Sequence, residues 1–271
     1  KRLPNRLIKK SFRAYNTGNK FEFRMPGSAF SIAGPNFVLN TIVAEELSQF
    51  ADLLEGASDF TKALNDLIKK TVREHQRIIF NGDGYAGAWQ AEAAKRGLLN
   101  LKSTPEALPA FVSQKSIALF TKHGVLSETE IFSRYEITLE NYCKTIDIEA
   151  ITMLDMARKN ILPAVMRYTR YLAETAMAKK TLSPSIGCAL EESLVSKLSL
   201  RAACLDKKIE ALDSLLLGAK EHADLLGCAK YHHDSIFAAM QELRAVADEL
   251  EAAVDEDVWP FPTYGKILFS I

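Results

Sequence analysis

Apolar residues recur at steps of three and four along most of this chain, the spacing that gathers side chains on one face of an α-helix. Val38, Leu39, Ile42, Val43, Leu47, Phe50 and Leu54 predict a first helix ending near Gly56. Ser58-Asp59 offers an N-cap for a second, whose Leu64, Leu67, Ile68, Val72, His75, Ile78 and Ile79 share a face until Asn81-Gly-Asp-Gly84 stops it. Tyr85 to Gly97, carrying Trp89, and Leu108 to His123, stopped by Gly124, predict two more. Ser127 and Glu130 have the spacing of a capping box, from which a stripe runs through Ile131, Leu139, Ile146, Leu154, Ile161, Val165, Leu172 and Ala176. Pro163 removes one backbone donor inside that stripe and predicts a kink in the turn before it. After a turn at 183–187, Leu194, Leu198, Leu205, Ile209, Leu212 and Leu216 form a coiled-coil-like seam. A last helix carries its stripe through Leu226, His233, Phe237, Met240, Leu243, Ala247, Leu250 and Val254. Three long amphipathic helices joined by short turns predict an antiparallel bundle over about residues 127–256, in a mainly α chain.

One stretch breaks this rhythm. From Lys20 to Met25 charged and apolar residues alternate, so an extended chain sets Lys20, Glu22 and Arg24 on one face and Phe21, Phe23 and Met25 on the other. Pro26-Gly27 ends the predicted strand. By pattern alone this is an amphipathic strand with a solvated charged face. Ahead of it lies a basic arm, Lys1 to Asn16, with too few apolar residues to order itself.

Four separated segments carry a resemblance. Asn19-Lys-Phe-Glu-Phe-Arg-Met-Pro-Gly-Ser28, Ser31-Ile-Ala-Gly-Pro-Asn36, Glu140-Asn-Tyr-Cys-Lys-Thr-Ile146 and Trp259-Pro-Phe-Pro-Thr-Tyr-Gly-Lys-Ile-Leu-Phe269 resemble the large bacterial type III glutamine synthetases. The first resembles the last catalytic strand of that family. The resemblance implies residues 1–57 as the end of an α+β catalytic domain, and 58–271 as a helical C-terminal domain with an aromatic tail. It implies a part in ATP-dependent ligation of ammonia to L-glutamate through γ-glutamyl phosphate, a step of glutamine biosynthesis and nitrogen metabolism. Glu22 matches the family's metal-binding glutamate, for Mg²⁺ or Mn²⁺. Arg24 matches the arginine that clamps substrate and transferring phosphoryl group, and Lys20 the basic position that meets the phosphates of ATP as co-substrate. Glutamate, ammonia and a ring-forming homo-oligomer are the partners implied. Asn5-Arg6 has the letters of a substrate-binding motif in the wrong setting, so no role is carried onto it. One carboxylate cannot build a two-metal site, and the chain opens on Lys1, so a C-terminal portion, inactive alone, is expected. The alternative is a non-catalytic helical module for oligomerisation or regulator docking.

Composition narrows the remaining classes. The 34 basic and 34 acidic residues cancel, which gives no global field for nucleic acid or an anionic membrane. No run approaches the roughly 18 apolar residues of a membrane helix, so a cytoplasmic protein is expected. Cys143, Cys188, Cys204 and Cys228 are widely spaced without a Cys-x-x-Cys pair and are expected as reduced, buried thiols. His232 and His233 point about 100° apart on a helix and cannot easily chelate one ion, so a hydrogen-bonded histidine at the bundle seam is expected. Tyr135, Tyr142, Tyr168 and Tyr171, at helical spacings, are expected in the core rather than around a cofactor.

Overall fold

A computed structural model describes residues 13–16, 21–24 and 31–269, apart from Tyr85, Ala223 and Thr263. The chain divides into two compact units, Lys1–Tyr135 and Glu136–Ile271.

In the first unit, strand β1 (Arg13–Asn16) pairs antiparallel with β2 (Phe21–Arg24), with Tyr15 in register with Glu22 and Arg13 with Arg24. The strand expected around Phe21 to Arg24 is present. The arm before it was expected to lack order, yet its end forms β1. Backbone groups that the arm's own side chains could not organise are satisfied by the neighbouring strand. Helix α1 (Ala33–Leu54) ends where Gly56 takes a positive φ of 85°, and Asp59 then caps α2 (Phe60–Glu74) by accepting from the Lys62 amide at 3.0 Å.

Three expectations need correction here. The second helix stops at Glu74, short of Asn81-Gly-Asp-Gly84, and continues only as a 3₁₀ turn over Gln76–Ile78. None of its residues is buried, so no packing prolongs the helix. Helix α3 (Gly87–Lys95) is shorter than its pattern, with Trp89 stacked on Phe80 at 4.1 Å. The run from Leu108 to His123 is two pieces, a 3₁₀ turn over Leu108–Val112 that follows the short α4 (Thr104–Ala107), and then α5 (Gln114–Lys122). Ser113 breaks the run by capping α5, accepting from the Ser116 amide at 3.3 Å. A small core of Ile117, Phe120, Leu126 and Ile131, with Phe37 and Phe111 against it, holds α1 to α5.

The capping box at Ser127 and Glu130 forms as expected, the Ser127 amide donating to Glu130 at 2.8 Å, and opens α6 (Glu128–Met156). The second unit takes up α6 from Glu136 and adds a π-turn (Ala157–Ile161) and α7 (Leu162–Leu182), one continuous rod. In the turn before Pro163, where a kink is expected, the helix widens into this π-turn. Across it the Leu162 amide reaches back five residues to the Ala157 carbonyl, so the wider turn absorbs the donor that proline lacks. Helix α8 (Ala189–Gly218) is the second rod; α9 (Leu225–Tyr231), a π-turn (His232–Ile236) and α10 (Phe237–Glu251) are the third.

Ion pairs between rods give their directions. Lys179 meets Glu191 while Arg158 meets Asp213 at 2.6 Å, so numbering falls on α7 as it rises on α8. Arg201 meets Glu249 at 2.9 Å and Lys208 meets Glu242 at 2.7 Å, which makes α8 and α10 antiparallel as well. These surface pairs fix register and add little stability. The core between the rods is Leu154, Val165, Leu198, Leu205, Ile209, Leu212, Ile236, Leu243 and Leu250 with their neighbours, largely the stripes the sequence predicts. Trp259 and Phe261 of the aromatic tail pack on this core before a short α11 (Tyr264–Phe269).

Two side chains fall off their predicted faces. Tyr142 and Tyr168 pack on the core, but Tyr171 is exposed and stacks on Tyr168 at 6.3 Å. On the third rod His232, not His233, is buried, in line with Ile236 and Met240 at four-residue steps.

Candidate functional site

Of the residues the sequence singles out for catalysis, Glu22 and Arg24 stand two apart on β2, opposite Tyr15 and Arg13 of β1. Lys20 lies outside the described residues.

The structure gathers a second group that the sequence reading set aside. Cys143 and Asp147 lie four residues apart on α6, one turn above the other on the same face. Cys228 on α9 and His232 at the start of the π-turn repeat that spacing on the third rod. Cys143 stands beside Cys228, and Asp147 beside His232. Both numbers advance by four, so the first and third rods run parallel where they meet.

His232 is the centre of this group, only 1% exposed. Its Nε2 lies 2.9 Å from Asp147 Oδ1, and its Nδ1 lies 2.8 Å from the Cys228 carbonyl oxygen and 3.6 Å from Cys228 Sγ. The imidazole therefore faces an oxygen acceptor on each side. The expected seam histidine is present, and it is one member of the pair alone; His233 turns away to Asp234 at 2.7 Å. The two sulfurs and a His232 nitrogen all lie within 4.8 Å of one another. Burial, with Cys228 beside it, pushes the Cys143 thiol up to about 12, and Asp147 acts in the same direction. Such a thiol is a poor nucleophile in water at neutral pH.

The cluster lines a cleft of about 800 Å³ whose walls also include the Arg158–Asp213 ion pair. Asp147 is 40% exposed at its side chain and stands at the cleft edge. All four cysteines are free, as expected; Cys143 and Cys188 are buried, while Cys204 and Cys228 are only half-buried. The sequence signal for the cluster was a matched pair of i, i+4 steps, Cys143/Asp147 and Cys228/His232. A search for Cys-x-x-Cys cannot find it.

In unit one a different cluster ties α1 to α5. Glu45 accepts from Lys122 Nζ at 2.8 Å, meets His123 Nε2 at 2.6 Å and takes a bond from Gln49 at 2.8 Å. The Lys122 bond first, then those of Gln49 and His123, lower its carboxyl to about 2.

Comparison with known proteins identifies relatives. Residues 63–180 match the family model described as the glutamine synthetase C-terminal domain. A glutamine synthetase of Butyrivibrio fibrisolvens is 38% identical over 259 residues, covering 94% of this chain and 37% of that protein. A type-3 glutamine synthetase of Dictyostelium discoideum is 39% identical over 263 residues, covering 93% and 35%. A glutamine synthetase of Bacteroides fragilis (strain YCH46) is 28% identical over 262 residues. The chain thus spans just over a third of the length of these curated relatives. An aligned stretch as long as the first takes in Lys20, Glu22 and Arg24 wherever it begins.

Proposed function

Because the chain contains a glutamine synthetase C-terminal domain and is similar to glutamine synthetases along nearly its whole length, we propose that it forms the C-terminal portion of a subunit that ligates ammonia to L-glutamate at the expense of ATP. The observation that carries this reading is the 38% identity sustained over 94% of the chain, strand and helices together. In the complete enzyme Glu22 holds a divalent cation. A carboxylate is the donor that hard Mg²⁺ or Mn²⁺ takes, and β2 contributes one of the roughly six oxygens such an ion needs. Held there, such a cation would supply positive charge to the phosphate oxygens. Arg24, two residues along the same strand, would supply a planar fork for the phosphoryl oxygens, and Lys20 a cation for the nucleotide phosphates.

The helical portion serves assembly into a homo-oligomer. Val43 and Leu47 on α1 and Ile68 and Val72 on α2 are exposed apolar residues of the kind that contact surfaces bury. Cytoplasmic residence accords with the four free cysteines.

The test is substitution in the complete enzyme. Glu22→Gln keeps shape but loses the charge a hard cation needs, and should lower glutamate-dependent phosphate release by more than about a hundredfold with the helical spectrum unchanged. Arg24→Lys should also be damaging, because a point ammonium does not reproduce the fork. Parental turnover in both variants would overturn the assignment. The chain by itself should release no phosphate from ATP in response to glutamate and ammonia, since one carboxylate and two cations supply only part of the electrostatic clamp.

A further inference from the structure

We propose that Cys143, Cys228 and His232 bind one Zn²⁺ between the first and third rods of the bundle, with Asp147 orienting the histidine. Two thiolates and an imidazole form a soft donor set that suits zinc and does not suit Mg²⁺ or Mn²⁺, which take oxygen. This centre is therefore distinct in kind from a metal held at Glu22.

The geometry lies close to what the ion requires. With Zn–S near 2.3 Å and Zn–N near 2.05 Å in a tetrahedron, sulfur and nitrogen ligands stand about 3.6 Å apart. Cys228 Sγ and His232 Nδ1 are 3.6 Å apart. The Cys143 sulfur lies within 4.8 Å of both Cys228 Sγ and a His232 nitrogen, so small rotations of two side chains complete the triangle.

The second observation is the far side of the ring. Histidines that ligate through one nitrogen usually donate the other N–H to a carboxylate, which fixes tautomer and orientation. His232 Nε2 is 2.9 Å from Asp147 Oδ1. Without a metal, both ring nitrogens face oxygen, Nδ1 the Cys228 carbonyl at 2.8 Å and Nε2 the Asp147 carboxylate at 2.9 Å. A cation between the sulfurs takes the Nδ1 lone pair instead, leaving a single N–H, on Nε2, for Asp147. Because the thiolate is the ligand, binding releases the thiol protons to solvent. Three protein donors leave a fourth position toward the cleft, where Asp147 is solvent-accessible and water completes the tetrahedron.

The π-turn places the histidine. His232 and Ile236 stand at the two ends of the i→i+5 turn, and both are buried in line with the later stripe of Met240, Leu243 and Leu250. Such π-turns are frequent at functional sites.

Full chain should be reduced, stripped with chelator, and titrated with Zn²⁺, with Co²⁺ as the spectroscopic probe. One metal equivalent per chain and a thiolate-to-cobalt charge-transfer band are expected. Cys143→Ser and Cys228→Ser should each abolish that band. Asp147→Asn should keep the stoichiometry while weakening affinity roughly 10- to 100-fold, the usual effect of losing a carboxylate behind a ligating histidine. Cadmium NMR on the unsubstituted chain reads the donor set directly and does not depend on any variant folding. A cadmium shift outside the range of two-sulfur sites would overturn the proposal. So would the absence of stoichiometric uptake under reducing conditions, or uptake that survives removal of both cysteines.

Discussion

Helix α2 and the bundle rods have the same apolar spacing, yet only the rods bury it. Leu205 on α8 is 0% exposed and belongs to the core that the rods share, whereas Ile68 on α2 is 52% exposed. The period of a stripe says which side of a helix is apolar; it says nothing about what covers that side. In the bundle the cover is local in sequence, because turns such as 183–188 return the chain onto itself at once. For α2, no described residue is buried on the helix, so its stripe is left for whatever lies against it in the assembled protein.

The largest effect that should separate the two regions comes from truncating their apolar residues. Leu205→Ala should lose about 2–5 kcal/mol of unfolding free energy, the range for a buried leucine leaving a cavity. Ile68→Ala should stay within about 0.5 kcal/mol if α2 is bare in solution. Denaturant midpoints of the two variants, at several protein concentrations, decide it. A concentration-dependent loss for Ile68→Ala would show that association covers α2.

A smaller effect should follow from the cap. Asp59→Ala removes the acceptor for the Lys62 amide and should cost about 1 kcal/mol. Because α2 has little burial to hold it, amide exchange over Phe60–Glu74 should rise while exchange in α8 stays as it was.

The smallest concerns acid. The Glu45 carboxyl is lowered to about 2 by Lys122, Gln49 and His123, below the ordinary value of 4.5. Stability from this depressed group is complete above the unfolded value and is lost as pH falls from 4.5 toward 2. The contact of α1 with α5 should loosen in that window, and Glu45→Gln should remove the dependence. Tryptophan-independent probes such as amide exchange at Lys122 and His123 can follow it. Unchanged exchange across the window in the parent chain would refute the linkage.

How much of this could be read beforehand varies with the physics. The rods were legible because burial enforces their period, and Leu198, Leu205, Ile209 and Leu212 all lie where the seam puts them. The capping box at Ser127 was legible because it is a local exchange of hydrogen bonds. The choice between His232 and His233 was not. Either histidine falls within the width of an apolar stripe, and drawing the stripe back from Phe237 instead of the buried Ile236 selects His233. The cysteine cluster was missed because its partners come from helices 85 positions apart, and only the parallel pairing of the two rods makes Cys143 and Cys228 neighbours. The strand was legible from strict alternation, whereas β1 was not, since a basic arm carries no such alternation and takes its order from its partner.

The surplus residue in the turn over His232–Ile236 also bears on how the gene can change length. Removing one residue from an ordinary stretch of a rod rotates everything beyond it by about 100° and carries the apolar stripe away from the core. Within this turn the same loss converts an i→i+5 loop into a regular one and leaves the stripes on either side aligned. Deleting Ser235 should therefore be tolerated where deleting Leu243 is not. The site of a helix's irregularity is, by this reasoning, the place where a lineage can lose a codon and keep its bundle.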